Sequence, residues 1–272
     1  MLKQYSGATR IITILGDPIT QVKAPAGLTR EFERRGRDAV VVPLNVKPAD
    51  IELAISAIAR MANIDGMIAT IPHKFALAAH CSALSERSRF LGVANVARRD
   101  SEAGWYGDML DGESFVDAIS WAGCRIEGGR ALLIGAGGAG SAIALSLLDR
   151  GVESLAVCDV DPGRRDALVG KLARRHRDRV GPGSGDPRGF AIVVNATPLG
   201  MSASDPLPID SSGLAAATFV ADVITRPEIT PLLAIARKIG CRTQTGVGMF
   251  ETAVGLMADF FEPSVQQTVS KA

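Results

Sequence analysis

Apolar and polar residues alternate along the chain in blocks of two kinds. Short runs of consecutive apolar residues are typical of buried strands, and longer segments with apolar side chains at every third or fourth position are typical of amphipathic helices. The runs predict strands at residues 10–15, 39–44, 64–71, 90–97, 131–134, 155–159, 191–197 and 219–223. The periodic segments predict helices at residues 26–35, 48–61, 75–81, 111–122, 141–148, 162–177, 231–239 and 248–261. This alternation favours an α/β fold with a mostly parallel sheet.

Residues 130–159 give the pattern a specific form, because strand, glycine-rich turn, helix, strand and acid follow one another. Gly135 permits a tight turn, Gly137 leaves room for a pyrophosphate, and Gly140 lets the helix pack close to the strand. Asp159 ends the second strand, where a carboxylate can bind an adenosine ribose diol and would repel a 2′-phosphate. The segment predicts a Rossmann-type, doubly wound domain that prefers NAD to NADP. The alternative is a glycine-rich turn that binds nothing.

Composition sets the broad class of the protein. The 272 residues are 47% hydrophobic and 22% charged, which suffices for one large domain or, as we prefer, two of ordinary size. A net charge of +1 attracts neither nucleic acid nor an anionic membrane, so neither is expected as a partner. The sequence lacks an apolar run of the roughly 20 residues that span a bilayer and the apolar centre of a signal peptide. We therefore expect a cytoplasmic protein.

Two clusters of charged or reactive residues are interpreted as structural. The cysteines form no C-x-x-C pair and the histidines match no zinc motif, so no metal is predicted, although His80 and Cys81 are adjacent. Residues 164–179 are rich in arginine and lysine. We interpret this run as a solvated helix face, since a nucleic-acid site would want interleaved aromatic residues or a larger basic surplus.

Three polar residues in the first half of the chain are candidates for chemistry. Lys74 follows a buried strand at the start of a helix, where a cation opposes the helix macrodipole, so it is either a surface lysine or a catalytic acid/base. Asp111 either caps the next helix or takes part in catalysis. Asn95 lies within an apolar run and, if buried, needs a partner, which is a backbone group or a substrate hydroxyl.

Seven short motifs, spread over nearly the whole chain, occur in the order seen in the shikimate dehydrogenase family. They are GDPI at residues 16–19, TIPHK at 70–74, GVAN at 92–95, GDMLDG at 107–112, the glycine turn at 135–140, NATPLGM at 195–201 and GVGM at 246–249. The chain thus resembles a divergent member of that family. The resemblance implies an enzyme of shikimate or quinate metabolism, and of aromatic amino acid biosynthesis, that interconverts a ring ketone and an alcohol with a nicotinamide cofactor.

The resemblance also implies roles for individual residues. Lys74 and Asp111 match the catalytic pair, which would hold the substrate hydroxyl while Lys74 passes the proton, and Thr70 and Asn95 match substrate contacts. Residues 1–110, completed by 246–272, would form the substrate domain, and residues 111–245 the NAD domain. Cofactor contacts are expected at Gly135, Ala136, Gly137, Gly138, Ala139, Asp159, Asn195, Thr197, Val223, Gly246 and Met249.

The substrate side departs from the family pattern. The serine pair that binds the substrate carboxylate in the family is replaced by Val22 and Ala24. Three further polar residues of the family are also replaced: an asparagine by Ile68, a tyrosine by Thr225 and a glutamine by Ala253. Two missing hydroxyl donors would cost about 2–3 kcal/mol, so shikimate itself is expected to bind poorly. A competing possibility is that Lys23 or Gln21 grips the carboxylate instead.

The sequence leaves the substrate and the assembly open. The expected substrate is a small cyclic hydroxy acid or polyol, and the expected assembly is a monomer or homodimer. The run Asp159-Val160-Asp161 stands where many family members have Asn-Arg-Thr to grip a 2′-phosphate, which agrees with the NAD prediction. The alternatives are a non-catalytic NAD-binding sensor and, more distantly, a folate-linked dehydrogenase. The retained Lys74, Asp111 and Asn95 favour the enzyme.

Overall fold

The computed structural model describes residues 5–100 and 104–262. Its strands are β1 (Arg10–Gly16), β2 (Ala39–Asn45), β3 (Ile64–Ala69), β4 (Ala83–Leu84), β5 (Val96–Asp100), β6 (Gly104–Asp108), β7 (Arg130–Ile134), β8 (Ser154–Cys158), β9 (Val180–Pro182), β10 (Ile192–Asn195), β11 (Phe219–Asp222) and β12 (Arg242–Gln244). Its helices are α1 (Ala24–Arg34), α2 (Ile51–Ala59), α3 (Lys74–His80), α4 (Glu86–Leu91), α5 (Asp111–Trp121), α6 (Gly138–Asp149), α7 (Pro162–His176), α8 (Pro231–Ile239) and α9 (Gly246–Phe261).

The first sheet has the strand order β2-β1-β3-β5-β6-β4. Strands β1, β2 and β3 are parallel, and β5 runs antiparallel to both β3 and β6. Successive side chains of a strand face opposite sides of a sheet. Ile14 therefore packs into the cluster formed with α1 and α9, whereas Leu15 packs into the cluster formed with α2 and α3. The sheet is thus covered on both faces.

The second sheet is parallel throughout and has the order β12-β11-β10-β7-β8-β9. Leu133 of β7 lies in the cluster that contains side chains of α5, α6 and α7, and Leu132 lies in the cluster that contains side chains of α8. The strand order reverses direction between β7 and β10, and ligands of such doubly wound sheets bind at that point. The predicted fold class, an α/β substrate unit beside a Rossmann-type sheet, is confirmed.

One predicted strand is partly wrong. The run at residues 90–97 was expected to be a strand, but its first residues belong to α4, and β5 begins only at Val96. The Ser85 hydroxyl accepts a hydrogen bond from the Ser88 N–H, which caps the start of α4, and Gly92 ends the helix with φ 76°. A helix this short shows no clear period in its sequence. Residues 101–103 lie outside the described residues, and the strands on either side of them, β5 and β6, pair antiparallel.

Helix α9 returns the chain to the first sheet and packs against α1, α5 and β5. Close crossings depend on glycine: a Cβ at Gly27 of α1 would lie 2.7 Å from Phe250 Cζ, and one at Gly112 of α5 would lie 2.3 Å from Ser146 Oγ of α6. These contacts hold the two sheets on either side of a cleft. Among the described residues no helix has the length and apolar character needed to cross a membrane. A cytoplasmic location stays a prediction.

Candidate active site

A cleft of about 220 Å³ lies where the carboxyl ends of strands from both sheets face each other. Many of the residues nominated from the sequence line it: Val22, Ala24, Thr70, Lys74, Asn95, Asp111, Ala139, Thr197, Val223, Thr225, Gly246 and Met249. Within residues 5–100 and 104–262, no group of three His, Cys, Asp or Glu side chains could hold a metal ion.

Three side chains in the cleft form one hydrogen-bonded chain. Lys74 Nζ donates to Asp111 Oδ2, and Asn95 Nδ2 donates to Asp111 Oδ1 at 2.7 Å. Asn95 Oδ1 accepts from the Leu110 N–H at 2.8 Å. The Lys74 and Asp111 side chains are each only 12% exposed. Because an ammonium group has three N–H donors, Lys74 keeps donors for a substrate oxygen while Asp111 balances its charge.

Local backbone structure brings these residues together. Lys74 is the first residue of α3, just beyond β3, and Asp111 is the first residue of α5, just beyond β6. Asn95 lies between them, because its carbonyl accepts from the Ala69 N–H at 2.8 Å and its own N–H donates to the Asp108 carbonyl at 3.0 Å. The buried pairing of β3, β5 and β6 therefore sets the geometry of the polar chain.

The glycine turn lies beside this chain. Gly135 has φ 103°, a conformation that favours glycine, and a Cβ at Gly140 would lie 1.9 Å from the Gly135 carbonyl oxygen. A Cβ at Gly137 would meet no atom of residues 5–100 and 104–262 within 4 Å, so these residues leave space open in front of the N-terminus of α6. A Cβ at Gly138 would lie 3.1 Å from Lys74 Cδ. The residues of this turn therefore fit the pyrophosphate of a dinucleotide, and Lys74 lies next to them.

Asp159 is less available than the sequence suggests. Its side chain is 5% exposed. Its Oδ2 accepts from the Ala136 N–H at 2.7 Å, and its Oδ1 accepts from the Asp161 N–H at 2.9 Å. Arg164 Nη1 lies 4.0 Å from Oδ1 and is carried by an exposed side chain. The Asp159 carboxylate is thus already hydrogen-bonded to the backbone of the glycine turn and of Asp161, and the Arg164 guanidinium lies beside it.

Asn195 holds the turn after β10 through hydrogen bonds of its side chain. Its side chain is buried: Nδ2 donates to the Leu199 carbonyl at 3.0 Å and to Asp222 Oδ2 at 3.1 Å, and Oδ1 accepts from the Thr197 hydroxyl at 2.7 Å. Burial raises the pKa of the Asp222 carboxyl, against the hydrogen bonds it accepts from Ile224, Asn195 and Thr230. Asn195 therefore shapes the turn that carries Thr197 and does not itself line the cleft. The sequence did not reveal Asp222 as part of this network.

The positions that depart from the family pattern also line the cleft. Val22, Ala24, Ile68 and Ala253 form part of its wall. The sequence missed Arg226 and Met257, which line the cleft as well. Met257 could have been found, because it follows Met249 and Ala253 at intervals of four residues on one face of α9. No comparable periodicity marks Arg226, which lies in a loop.

A doubly wound sheet with a glycine cradle, opposed across a cleft by a lysine–aspartate pair, defines a dinucleotide-dependent oxidoreductase. The model of the shikimate dehydrogenase substrate binding domain matches residues 14–97. The shikimate dehydrogenase (NADP(+)) of Rhodospirillum rubrum is 35% identical over 254 residues, which cover 90% of this chain and 88% of that protein. The chain belongs to the shikimate dehydrogenase family.

Solved structures show the same architecture. The quinate dehydrogenase from Corynebacterium glutamicum in complex with NAD has a TM-score of 0.84 and 26% identity, covering 93% of this chain and 94% of that one. The shikimate 5-dehydrogenase from Thermus thermophilus in complex with NADP(H) and shikimate has a TM-score of 0.83 and 25% identity, with the same coverage of both chains. The protein is an oxidoreductase of this type.

The prediction that NAD is preferred to NADP is wrong. It conflicts with the NADP(+) in the name of the Rhodospirillum rubrum relative and with the NADP(H) bound by the Thermus thermophilus enzyme. The structure supplies a physical reason. The prediction treated Asp159 as a free carboxylate facing the ribose, whereas Asp159 is already hydrogen-bonded to Ala136 and Asp161, and Arg164 lies nearby.

Proposed function

We propose that this protein interconverts a ring alcohol and the corresponding ketone, in a shikimate-like, quinate-like or related cyclic polyol substrate. The observation that carries the proposal is the Lys74–Asp111–Asn95 chain, which lines the cleft next to the glycine cradle. A nicotinamide dinucleotide, when bound, supplies or accepts the hydride. Lys74, Asp111 and Asn95 transfer the proton and position the substrate.

Each polar residue has a distinct role in the proposal. Lys74 Nζ donates a hydrogen bond to the reacting oxygen, gives a proton to it during reduction and takes the proton back during oxidation. Asp111 accepts from Lys74 and keeps the ammonium directed toward the cleft. Asn95 fixes the Asp111 carboxylate and, through its second amino hydrogen, offers a donor to a substrate hydroxyl. Thr70 lines the same region and offers a second hydroxyl contact.

The cofactor side of the proposal rests on the cradle and its surroundings. Gly135 to Ala139 would hold the pyrophosphate, and Thr197, Val223, Gly246 and Met249 would line the nicotinamide end. We infer that NADP(H) is used, in line with the NADP(+) and NADP(H) that the names of the Rhodospirillum rubrum and Thermus thermophilus relatives give for those proteins, with the exposed Arg164 guanidinium beside the 2′-phosphate.

We also propose that the chain is divided into a substrate unit and a cofactor unit. Residues 1–110 with 246–272 would form the substrate unit, and residues 111–245 the cofactor unit. The packing of α9 against α1 and β5 of the first sheet supports this assignment for the described residues. The contact of α5 with both α6 and α9 makes it the natural place for movement between the units.

Lys74→Ala and Asp111→Asn test the proposal. Each should lower kcat by about two orders of magnitude or more, since proton transfer typically contributes 10²–10⁴-fold. The measurement is steady-state reduction of NADP⁺ with shikimate, quinate and neutral cyclic polyols, together with NADP⁺ binding by calorimetry, which should stay unchanged. Lys47→Ala is a matched control, because the Lys47 side chain is 68% exposed and its Nζ lies 3.4 Å from a carboxylate oxygen of Asp17.

The outcomes separate enzyme from sensor. If wild-type protein binds NADP⁺ and these ligands but turns none of them over, the non-catalytic alternative holds. If Lys74→Ala retains full turnover, the proton-transfer role assigned to Lys74 is wrong even though the protein is an enzyme.

A further inference from the structure

One wall of the cleft is the edge of a hydrophobic core. Seven lining residues from β1, α1, β3 and α9, or next to them, belong to or pack on a single hydrophobic cluster: Ile14, Val22, Ala24, Ile68, Phe250, Ala253 and Met257. All of them except Val22 and Phe250 are at most 7% exposed. The wall is therefore well-packed hydrocarbon that holds its shape.

The hydrogen-bonding groups of the cleft lie elsewhere. Lys74, Asp111 and Asn95 form the polar chain beside the glycine cradle. Gln21 also lines the cleft; its amide nitrogen donates one hydrogen to the Pro18 carbonyl at 3.0 Å, which leaves one neutral donor. A ring bound in the cleft thus meets donors and acceptors on its reacting edge and hydrocarbon on another edge.

We infer that the substrate turns an uncharged edge toward this wall. The cleft takes a cyclic alcohol whose hydroxyls meet Lys74, Asp111 and Asn95, and whose remaining edge carries no carboxylate. This inference rests on the proposed function and narrows its substrate class. The physical reason is that a carboxylate placed against hydrocarbon loses its hydration and gains no hydrogen bonds in return.

In the rival arrangement, the substrate carries a carboxylate that one of two cationic side chains holds at the rim of the cleft. Lys23 and Arg226 line the cleft as well, and Arg226 is exposed. A carboxylate held by either one at the rim would keep part of its hydration and avoid the apolar wall. In that case an acid would bind better than its neutral analogues, and the binding would depend on the cation.

Calorimetry on the wild-type protein saturated with NADP⁺ tests the inference. The ligands are shikimate, its methyl ester, and the same ring triol without the carboxyl group, which controls for the size of the ester. At least one neutral ligand should bind at least tenfold more tightly than shikimate. Shikimate binding as tightly as either neutral ligand, or no binding of a neutral ligand, would overturn the inference. Because the readout is binding, a failure of the proposed catalytic function shows separately, as absent turnover of a bound ligand.

Variants sharpen the result. Val22→Ser combined with Ala24→Ser adds two donors to the wall and should tighten shikimate binding at least tenfold, with a smaller change for the ester. Lys23→Ala and Arg226→Ala should leave shikimate binding within about twofold of wild type. A tenfold loss in either single variant would support the rival arrangement. Thermal melting checks that the double variant folds, and the wild-type comparison is decisive without it.

Discussion

Asn95 shows how far a single residue can be interpreted from sequence. An amide within an apolar run must be satisfied if buried, so the sequence could nominate Asn95. It could not choose the partner, since Asp111 and Leu110 reach Asn95 only through the pairing of β5 with β6. The amide oxygen of Asn95 accepts from the Leu110 N–H at the start of α5, and the amide nitrogen donates to the Asp111 carboxylate.

Asn95→Ala should therefore impair catalysis by loosening Asp111. We expect kcat to fall about tenfold or more, because misplacement of a catalytic group is costly even when the group is present. The free energy of unfolding should drop by about 1–3 kcal/mol, since the buried Leu110 N–H loses its acceptor. Steady-state kinetics and denaturant unfolding measure the two effects.

Ser114→Ala is the matched control for that prediction. Ser114 is fully buried, and its hydroxyl donates to the Leu110 carbonyl at 2.8 Å, close to the same turn but away from the carboxylate. It should lose stability without a comparable loss of kcat. Equal kcat losses in both variants would mean that Asn95 acts only through general stability.

The cofactor prediction failed at the same scale for a physical reason. An acid at the end of the second strand was correctly placed by the sequence, because β8 ends at Cys158 and Asp159 follows. Its hydrogen bonds to the turn at Ala136 and to Asp161 depend on backbone geometry that no spacing rule contains. The position of Arg164, one turn into α7, also changes the charge at this edge.

At the scale of elements, hydrophobic periodicity predicted the long helices and the buried strands. Helices α5, α7, α8 and α9 lie within about two residues of their predicted bounds. The pattern missed α4, β6 and the short strands β4, β9 and β12. The short strands contain too few residues to show a period, and β6, Gly-Trp-Tyr-Gly-Asp, contains no run of apolar residues longer than two. The glycine motif predicted the turn between β7 and α6, because Gly135 and Gly140 stand at positions where a side chain would be strained or would clash.

Gly137→Ala and Gly140→Ala should separate binding from folding at this turn. A Cβ at Gly140 would lie 1.9 Å from the Gly135 carbonyl oxygen, so Gly140→Ala must displace α6 from β7 and lower the melting temperature. A Cβ at Gly137 would meet none of the described atoms within 4 Å, but it would occupy the space left for pyrophosphate. Gly137→Ala should melt like wild type and bind NADP⁺ at least tenfold more weakly, a change of about 1.4 kcal/mol.

Gly170→Ala in α7 is the control for these two variants. A Cβ at this position would also meet no atom within 4 Å in the part of the chain that the structure describes. The position lies in a helix interior, so alanine should stabilise the protein by about 0.5–1 kcal/mol without affecting NADP⁺ binding. Unchanged NADP⁺ affinity in Gly137→Ala would favour the alternative of a turn that binds no dinucleotide.

At the scale of the whole molecule, the chain leaves the first sheet after β6, builds the second sheet, and returns to the first through α9. Sequence periodicity shows that α9 is amphipathic but not which surface it covers. The structure shows that Met257, Phe260 and Phe261 complete the cluster on the α1 face of the first sheet. Contact is close enough that a Cβ at Gly66 of β3 would lie 2.3 Å from Phe261 Cε1.

A chain that stops after Thr245 should consequently fail to fold its first sheet. Burying Met257, Phe260 and Phe261 contributes about 5–9 kcal/mol at about 1.5–3 kcal/mol per side chain, which rivals the 5–15 kcal/mol that typically separates folded from unfolded domains. Circular dichroism and thermal melting should show a loss of helix and of the cooperative transition, and limited proteolysis should cut first within residues 5–100. A chain that stops after Glu262 keeps α9 and the Arg35–Glu262 ion pair and is the control for the loss of residues 246–262. If the shorter chain melts with the same midpoint and amplitude as this control, residues 246–262 do not complete the substrate unit and the proposed division of the chain is wrong.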